Sequence, residues 1–207
     1  MKRIILLVSI LAYSASINIY AQRVIWQDDF ETSKGWSEFE DATGKAVVKN
    51  GTLIMKSNDG MSYFSRCKTN LDGNKNFTIS AEIHLRYGMS QLVNGKSVGI
   101  IFDYYDRKNY KAFYIEKGFV WFIQIKDGVL IREEKDFLKN YIPDKKSREK
   151  NVPDLSIEIQ KKGQNVLFLV NGEETLEMDG VIVESNRIGF IVSGGQEISF
   201  DNVKILQ

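Results

Sequence analysis

Asn-Gly and Asp-Gly dipeptides divide the chain into short segments. They lie at 50–51, 59–60, 72–73, 94–95, 127–128, 171–172 and 179–180. Such dipeptides favour positive φ at both central positions of a turn, which the type I′ turn of a β-hairpin requires. Their frequency predicts many short antiparallel strands rather than alternating strands and helices.

The segments between these turns have the pattern of strands. From Phe77 to Tyr87 the odd positions are apolar and most even positions are polar, as in a strand with one buried face. The runs at 166–170 and 174–178 flank an Asn-Gly pair and predict a hairpin. The best helix candidate is 133–141, and the polar stretch from Lys139 to Asn151 predicts an exposed loop. The fold class indicated is therefore all-β, an antiparallel sandwich or barrel.

The N-terminus has the pattern of a secretory signal peptide. Lys2 and Arg3 precede an apolar run from Ile4 to Ala12 that is too short to cross a membrane. Small and polar residues follow, so we expect cleavage after Ala21. This predicts a signal peptide at 1–21, a single domain at 22–207 and a bacterial protein that is secreted or periplasmic.

Composition excludes several classes of function. The chain has 28 Lys and Arg against 27 Asp and Glu, a net charge of +1, so it has no basic excess for binding nucleic acid. Cys67 is the only cysteine, which excludes an internal disulfide and a cysteine-based zinc site. No glycine-rich phosphate loop, serine nucleophile elbow or zinc-protease motif is present.

A series of short motifs, in order, carries a resemblance to a known family. They are Asp28–Glu31 with Gly35-Trp36, Phe77–Arg86, Val98–Phe102, Tyr104–Phe113, Leu155–Ile159, Val170–Gly172, Arg187–Phe190 and Ile198–Val203. Together they resemble the concanavalin A-like lectin/glucanase superfamily, above all its laminin G-like branch and the bacterial 3-keto-disaccharide hydrolase-like domains. The resemblance implies a jelly-roll β-sandwich of two antiparallel sheets, in which the open face of a curved sheet carries ligands. It also implies frequent carbohydrate binding, in some members a structural calcium ion, and in others cleavage of glycosides.

Two groups of side chains are candidates for binding a ligand. Glu82, His84 and Arg86 share the polar face of one strand, where they could bind sugar hydroxyls or a carboxylate. Asp103 and Tyr105 follow an apolar strand and could complete the same site. The alternative for the first group is a solvated sheet face with a salt bridge, which is the default for antiparallel sheets.

Aromatic residues in two further strands could stack on sugar rings. Tyr110 and Tyr114 share one face of a strand, and Trp121 lies in the next strand. The alternative is ordinary core packing, which we favour for Trp121 because Phe119 and Ile123 share its face.

Asp28 and Asp201 are the candidate metal ligands. In the resembling family the terminal strands pair, and a calcium ion is sometimes held there. Carboxylate, amide and carbonyl oxygens suit calcium, and Asp29 and Asn202 adjoin the two candidates. The alternative is that these side chains cap turns.

The favoured function is a non-catalytic, lectin-like module that binds carbohydrate, such as a cell-surface glycan, on the concave sheet. The first alternative is a glycoside-acting enzyme with Glu82 or His84 as acid or base. Against this alternative, the sequence lacks the Glu-x-Asp-x-x-Glu strand of the superfamily's retaining glycosidases. The second alternative is a protein-interaction domain that uses loops such as 139–151.

Overall fold

The computed structural model describes residues 22–85, 92, 95–138 and 155–207. Every regular element in this part of the chain is a β-strand. The strands are β1 (Val24–Asp28), β2 (Phe39–Glu40), β3 (Gly44–Lys49), β4 (Thr52–Ser57), β5 (Tyr63–Lys68), β6 (Phe77–Leu85), β7 (Ser97–Asp106), β8 (Asn109–Glu116), β9 (Phe119–Lys126), β10 (Val129–Phe137), β11 (Leu155–Lys162), β12 (Asn165–Val170), β13 (Glu173–Met178), β14 (Arg187–Val192) and β15 (Glu197–Leu206).

The strands form two antiparallel sheets. The nine-stranded sheet has the order β13-β12-β11-β6-β15-β4-β3-β2, with β1 also paired to β15. The six-stranded sheet has the order β10-β9-β8-β7-β14-β5. Consecutive strands such as β6 and β7 often lie in different sheets, which is the crossing pattern of a jelly roll. The predicted all-β sandwich is confirmed.

The core lies between the two sheets. In β6 the odd positions from Phe77 to Ile83 are almost completely buried, as the alternating sequence pattern predicts. Aromatic rings join the sheets: Phe113 of β8 stacks on Phe168 of β12 with ring centroids 4.2 Å apart. Phe190 of β14 stacks in the same way on Phe200 of β15, at 4.0 Å.

Several predicted turns have the expected conformation. At 50–51, 127–128 and 171–172 both residues have positive φ, between 53° and 79°. These pairs close the hairpins β3–β4, β9–β10 and β12–β13. The asparagine or aspartate tolerates the left-handed conformation and the glycine adopts it without steric cost.

The helix expected at 133–141 is wrong over its described part. Residues 133–137 continue β10 and pair with β9 up to Phe137, opposite Phe119. The charged residues favour a helix locally, but pairing with a neighbouring strand overrides such a weak preference. The predicted loop at 139–151 and the predicted leader at 1–21 lie outside the described residues.

Within the described residues, no helix has the length and apolar character needed to cross a membrane.

Candidate functional site

The predicted ligand-binding residues belong to two separate places. Glu82 and His84 lie on β6 of the nine-stranded sheet, half-buried on its outer face. Asp103 and Tyr105 lie on β7 of the six-stranded sheet. The structure therefore does not bring the four residues into one site, and Arg86 lies outside the described residues.

Glu82 and His84 meet the C-terminal strand on the outer face of their sheet. Asp201 of β15 lies opposite Glu82, and Ser199 lies opposite His84. The ligand atoms of Glu82, His84 and Asp201 all lie within 4.8 Å of one another. An open pocket of about 490 Å³ surrounds them. We call it the carboxylate pocket; its lining residues are Asp29, Glu31, Asn50, Gly51, Thr52, Glu82, His84, Ser199, Asp201 and Asn202.

A β-bulge shapes this pocket. The register between β15 and β6 shifts between Asp201 and Lys204, and Asn202 has a φ of 49°. The extra residue lets Asp201 and Asn202 both line the pocket. The Asn202 side-chain amide donates to Oε2 of Glu82 at 2.8 Å, and its backbone N–H donates to Oδ1 of Asp201 at 2.6 Å.

The carboxylate pocket is electrostatically unbalanced. Its lining includes four carboxylates and neither lysine nor arginine. The pKa of Asp201 is raised above its usual value, first by burial and then by the charges of Glu82 and Asp29, although Asn202 and His84 act in the opposite direction. Excess negative charge of this kind is relieved by a proton or by a bound cation.

Asp28 lies on the other side of the sheet from Asp201. It is opposite the buried Val203 in the β1–β15 pair and is itself 1% exposed. Its Oδ2 accepts a hydrogen bond from the Trp36 indole at 2.8 Å, and its Oδ1 accepts one from the Phe30 N–H at 2.9 Å. The structure therefore does not bring together the two predicted metal ligands, Asp28 and Asp201. Asp29, the next residue, is the one that reaches the pocket.

Asp103 is part of a buried polar network. It is 4% exposed, has a φ of 51°, and forms an ion pair with Lys111. Its Oδ1 also accepts hydrogen bonds from the backbone N–H groups of Glu184 and Ser185 at 2.8 and 2.7 Å. These contacts attach the 184–185 segment to β7, so they give Asp103 a structural role.

An aromatic surface covers the outer face of the six-stranded sheet. We call it the aromatic face; its members are Phe64, Tyr104, Tyr110, Tyr114 and Trp121. Val120 and Phe122 point into the core, so Trp121 points outward, half-buried. The favoured assignment of Trp121 to the core is therefore wrong. Tyr114 stacks on Trp121 with the rings 5° from parallel.

Ring contacts show that the aromatic face is concave. Phe64 of β5 and Tyr110 of β8 are separated by β14 and β7, which places their strands about 14 Å apart in a flat sheet. Their ring centroids nevertheless lie 5.2 Å apart. Side chains converge in this way across a concave face, whereas on a convex face they diverge.

A polar pocket of about 310 Å³ adjoins the aromatic face, and Tyr110 belongs to both. Tyr105, 48% exposed, lies at this pocket and its hydroxyl approaches Glu184 at 3.4 Å. The lining also brings in residues that sequence analysis missed: Asn109, Lys111, Gln124, Ile125, Lys126, Ile182 and Glu184. No motif marks them, because they come together only through the pairing of β8 with β9 and the docking of the 182–184 segment on β7.

The aromatic face has an unused hydrogen-bond donor. Nε1 of Trp121 is buried and has no hydrogen-bond partner in the described part of the chain. The neighbouring Tyr114 keeps its proton, because burial and nearby carboxylates raise its pKa to about 12. The face thus combines flat apolar rings with the protonated hydroxyl of Tyr114, whereas the Trp121 N–H lies beneath the surface.

Comparison of the sequence with protein-family models and with curated proteins gives no match. Solved structures do match. A carbohydrate-binding module from Bacillus subtilis aligns with 84% of this chain and 96% of its own, at 16% identity and a TM-score of 0.54. A Bacillus subtilis protein of unknown function with a galectin-like fold aligns over 90% and 98%, at 10% identity and a TM-score of 0.60.

A β-glucanase from Bacillus licheniformis also matches, over 88% of this chain and 97% of its own, with 10% identity and a TM-score of 0.56. At these identities the likeness concerns the fold. With its two antiparallel sheets and its concave outer face, the chain has the concanavalin A-like jelly-roll fold.

Proposed function

We propose that the protein is a lectin-like, carbohydrate-binding module whose ligand lies on the aromatic face and extends into the polar pocket. The observation that carries this proposal is the concave, aromatic-lined face that joins a polar pocket at Tyr110. The rings offer a flat apolar surface on which a sugar ring can stack, and tyrosine and tryptophan add a polar group at the ring edge. A few polar groups in the adjoining pocket would then fix the orientation of the sugar. The matches to a carbohydrate-binding module and a glucanase support the choice of ligand class.

The predicted leader also supports this role. A secretory signal would deliver the chain to a compartment where glycans are exposed. We therefore propose that it acts in the periplasm or outside the cell.

Replacing Tyr110 with alanine is expected to weaken glycan binding by about tenfold or more, because a lost aromatic contact and its buried area together exceed about 1.4 kcal/mol. Binding is measured by a glycan array followed by calorimetry on the best glycan. Tyr63→Ala is the matched control, since Tyr63 is also half-buried but bonds to Asp59 away from both pockets.

A second variant reduces the stacking surface at a different residue. Trp121→Phe keeps an aromatic ring but removes the second ring of the indole together with its unpartnered N–H. We expect weaker glycan binding because the aromatic surface shrinks. We expect only a small change in thermal stability, because the loss of buried area is partly offset by removal of a buried donor without a partner. Full glycan affinity in both Tyr110→Ala and Trp121→Phe would contradict binding at the aromatic face.

We propose a second site, for a divalent cation, in the carboxylate pocket. Glu82 and Asp201 supply oxygens, and Asp29 adds another close by. Calcium would use these oxygens, whereas the His84 nitrogen adds a ligand that suits zinc. In either case the cation would neutralise the carboxylates and join β6 to β15. The pocket is lined by no Phe, Tyr or Trp that could hold a sugar ring, which makes the glycoside-acting alternative weaker.

Asp201→Asn is expected to abolish stabilisation by the cation. The raised pKa of Asp201 means that the folded chain holds this proton more readily than the unfolded chain does. Ionised Asp201 therefore lowers stability once the pH rises above the usual aspartate range. We expect the metal-free variant to be at least as stable as the parent at neutral pH. Thermal unfolding with chelator, calcium chloride or zinc chloride measures this, and no metal effect on the parent would contradict the site.

A further inference from the structure

The strand β10 ends the six-stranded sheet with an exposed edge. Among the described strands it pairs along its length only with β9. Every residue of β10 except Arg132 is exposed, and large apolar side chains lie at both ends, including Ile131 at 51% and Phe137 at 67% exposure. A long exposed edge presents unpaired backbone groups and is a template for a further strand.

The backbone direction of β10 identifies which groups are available. The N–H of Leu138, just after the strand, donates to the Gly118 carbonyl at 2.8 Å, on the β9 side. Backbone groups alternate in direction along an antiparallel strand, so those of Glu133, Lys135 and Phe137 point to the open edge. In agreement, the Phe137 N–H donates to the adjacent Asp136 carboxylate at 2.7 Å rather than to β9.

The sequence of this edge is complementary to itself. Consider two antiparallel copies with Glu134 opposite Glu134. Glu133 then faces Lys135 of the other copy, Arg132 faces Asp136, and Ile131 faces Phe137, each pair occurring twice by symmetry. Opposite charges and apolar pairs directly across two strands each stabilise the pairing by about 0.2–1 kcal/mol. Arg132 is already bound within its own chain, through Nη1 to the Asp179 carbonyl at 2.8 Å and through Nη2 to the Asp179 carboxylate at 3.3 Å. Its Nε also lies 3.9 Å from Oε1 of the central Glu134. The two Glu133–Lys135 pairs therefore carry the charge complementarity.

We propose that β10 of one copy pairs antiparallel with β10 of a second copy in this register, forming a homodimer with one continuous sheet. Glu133 and Lys135, whose backbone groups point outward, then lie opposite each other in the two copies and exchange hydrogen bonds. Ile131 lies at the register shift between Leu130 and Arg132, so regular backbone pairing is expected only from Arg132 onward. The interface is isologous, as a closed two-fold dimer requires. Charge complementarity along the strand favours a second copy over an unrelated partner.

The dimer would place two aromatic faces on the same side. Two antiparallel neighbouring strands of one sheet are related by a two-fold axis perpendicular to that sheet. Rotation about this axis does not exchange the two faces of the sheet, so the outer faces of both copies lie on the same side. If the proposed carbohydrate binding also holds, the dimer would bind a repeating glycan at two points and gain avidity. This consequence rests on the proposed function, whereas the dimer itself does not.

Sedimentation velocity of the purified chain over a range of concentrations tests the dimer. We expect the parent to dimerise and Lys135→Glu to dimerise at least about tenfold more weakly, because two attractive pairs become repulsive. The double variant Glu133→Lys/Lys135→Glu exchanges the two charges and is expected to recover the dimer. Lys68→Glu, an equal charge change on the exposed end of the opposite edge strand β5, is the matched control and should leave dimerisation unchanged.

Three results would overturn the proposal: a parent that is monomeric at every concentration, a dimer insensitive to Lys135→Glu, or a double variant that stays as weak as the single one. Glycan affinity is measured separately on the parent, because Lys135 also lies over the Trp121 ring at 4.5 Å and its replacement would alter the aromatic face. A parent that is monomeric at every concentration and still binds glycan overturns the dimer and leaves the carbohydrate site standing, so the two failures are distinguishable.

Discussion

Asp103→Ala is expected to destabilise the protein by about 3–5 kcal/mol, because it leaves the Lys111 ammonium buried without its counter-charge. The variant also removes the acceptor for the N–H groups of Glu184 and Ser185. For a domain of this size the loss corresponds to a fall in Tm on the order of 10 °C. Thermal and urea unfolding measure it. Glu184→Ala is the control, since it removes an exposed carboxylate beside the same network.

A double variant shows whether the buried charge is the cause. Asp103→Asn/Lys111→Met removes both charges and keeps an amide oxygen for the 184–185 segment. A buried ion pair exchanged for neutral groups of similar shape is often close to neutral in stability, so we expect the double variant to recover most of the loss. A wild-type Tm for Asp103→Ala would instead contradict the structural role, and a loss of glycan binding at that unchanged Tm would support Asp103 as a ligand residue.

The sequence predicts strands and faces well, because these follow from local patterns. The alternation in Phe77–Leu85 correctly places Glu82 and His84 together on an outer face. The Asn-Gly and Asp-Gly turns correctly place several hairpins. Both features need only neighbours in the chain, and side-chain alternation has a fixed period of two.

The arrangement of the candidate sites depends on long-range pairing that local patterns do not carry. Nothing in the sequence assigns Glu82 and Asp103 to different sheets, since that follows from the crossing between β6 and β7. In an unbroken β7–β8 hairpin, Asp103 and Lys111 would lie in neighbouring rows, whose side chains point to opposite faces. The register shift between Phe102 and Asp106 interrupts this alternation, and the two side chains form a buried ion pair.

The adjacent aspartates Asp28 and Asp29 point to opposite sides of the sheet and have different environments. Asp28 lies on the core side of β1, and Asp29 lines the carboxylate pocket. Composition and spacing treat the two as equivalent, whereas a strand sends successive side chains to opposite faces. The choice of Asp28 as a metal ligand depended on this parity, which becomes fixed only by the pairing of β1 with β15.

Asp28→Ala is expected to destabilise the protein by about 2–4 kcal/mol, because the buried indole N–H of Trp36 and the Phe30 N–H lose their acceptor. Phe30 also has a φ of 56°, a conformation that bulky residues rarely adopt, and the hydrogen bond that its N–H donates to Asp28 helps to hold it. Urea unfolding measures this difference in stability between the parent and the variant. We expect the difference to be the same with chelator as with calcium chloride or zinc chloride.

Asp29→Ala is the matched comparison and should behave in the opposite way. Its carboxylate lies in the open pocket, so its removal should change metal-free stability little and weaken the response to added cation. If Asp28→Ala instead lost the cation response at unchanged metal-free stability, the inward placement of Asp28 would be wrong. Asp28 would then have to bind the metal from the core side of β1, while Asp29 binds it from the pocket side. The hydrogen bond from the Trp36 indole opposes this, because it already occupies the Asp28 carboxylate on the core side.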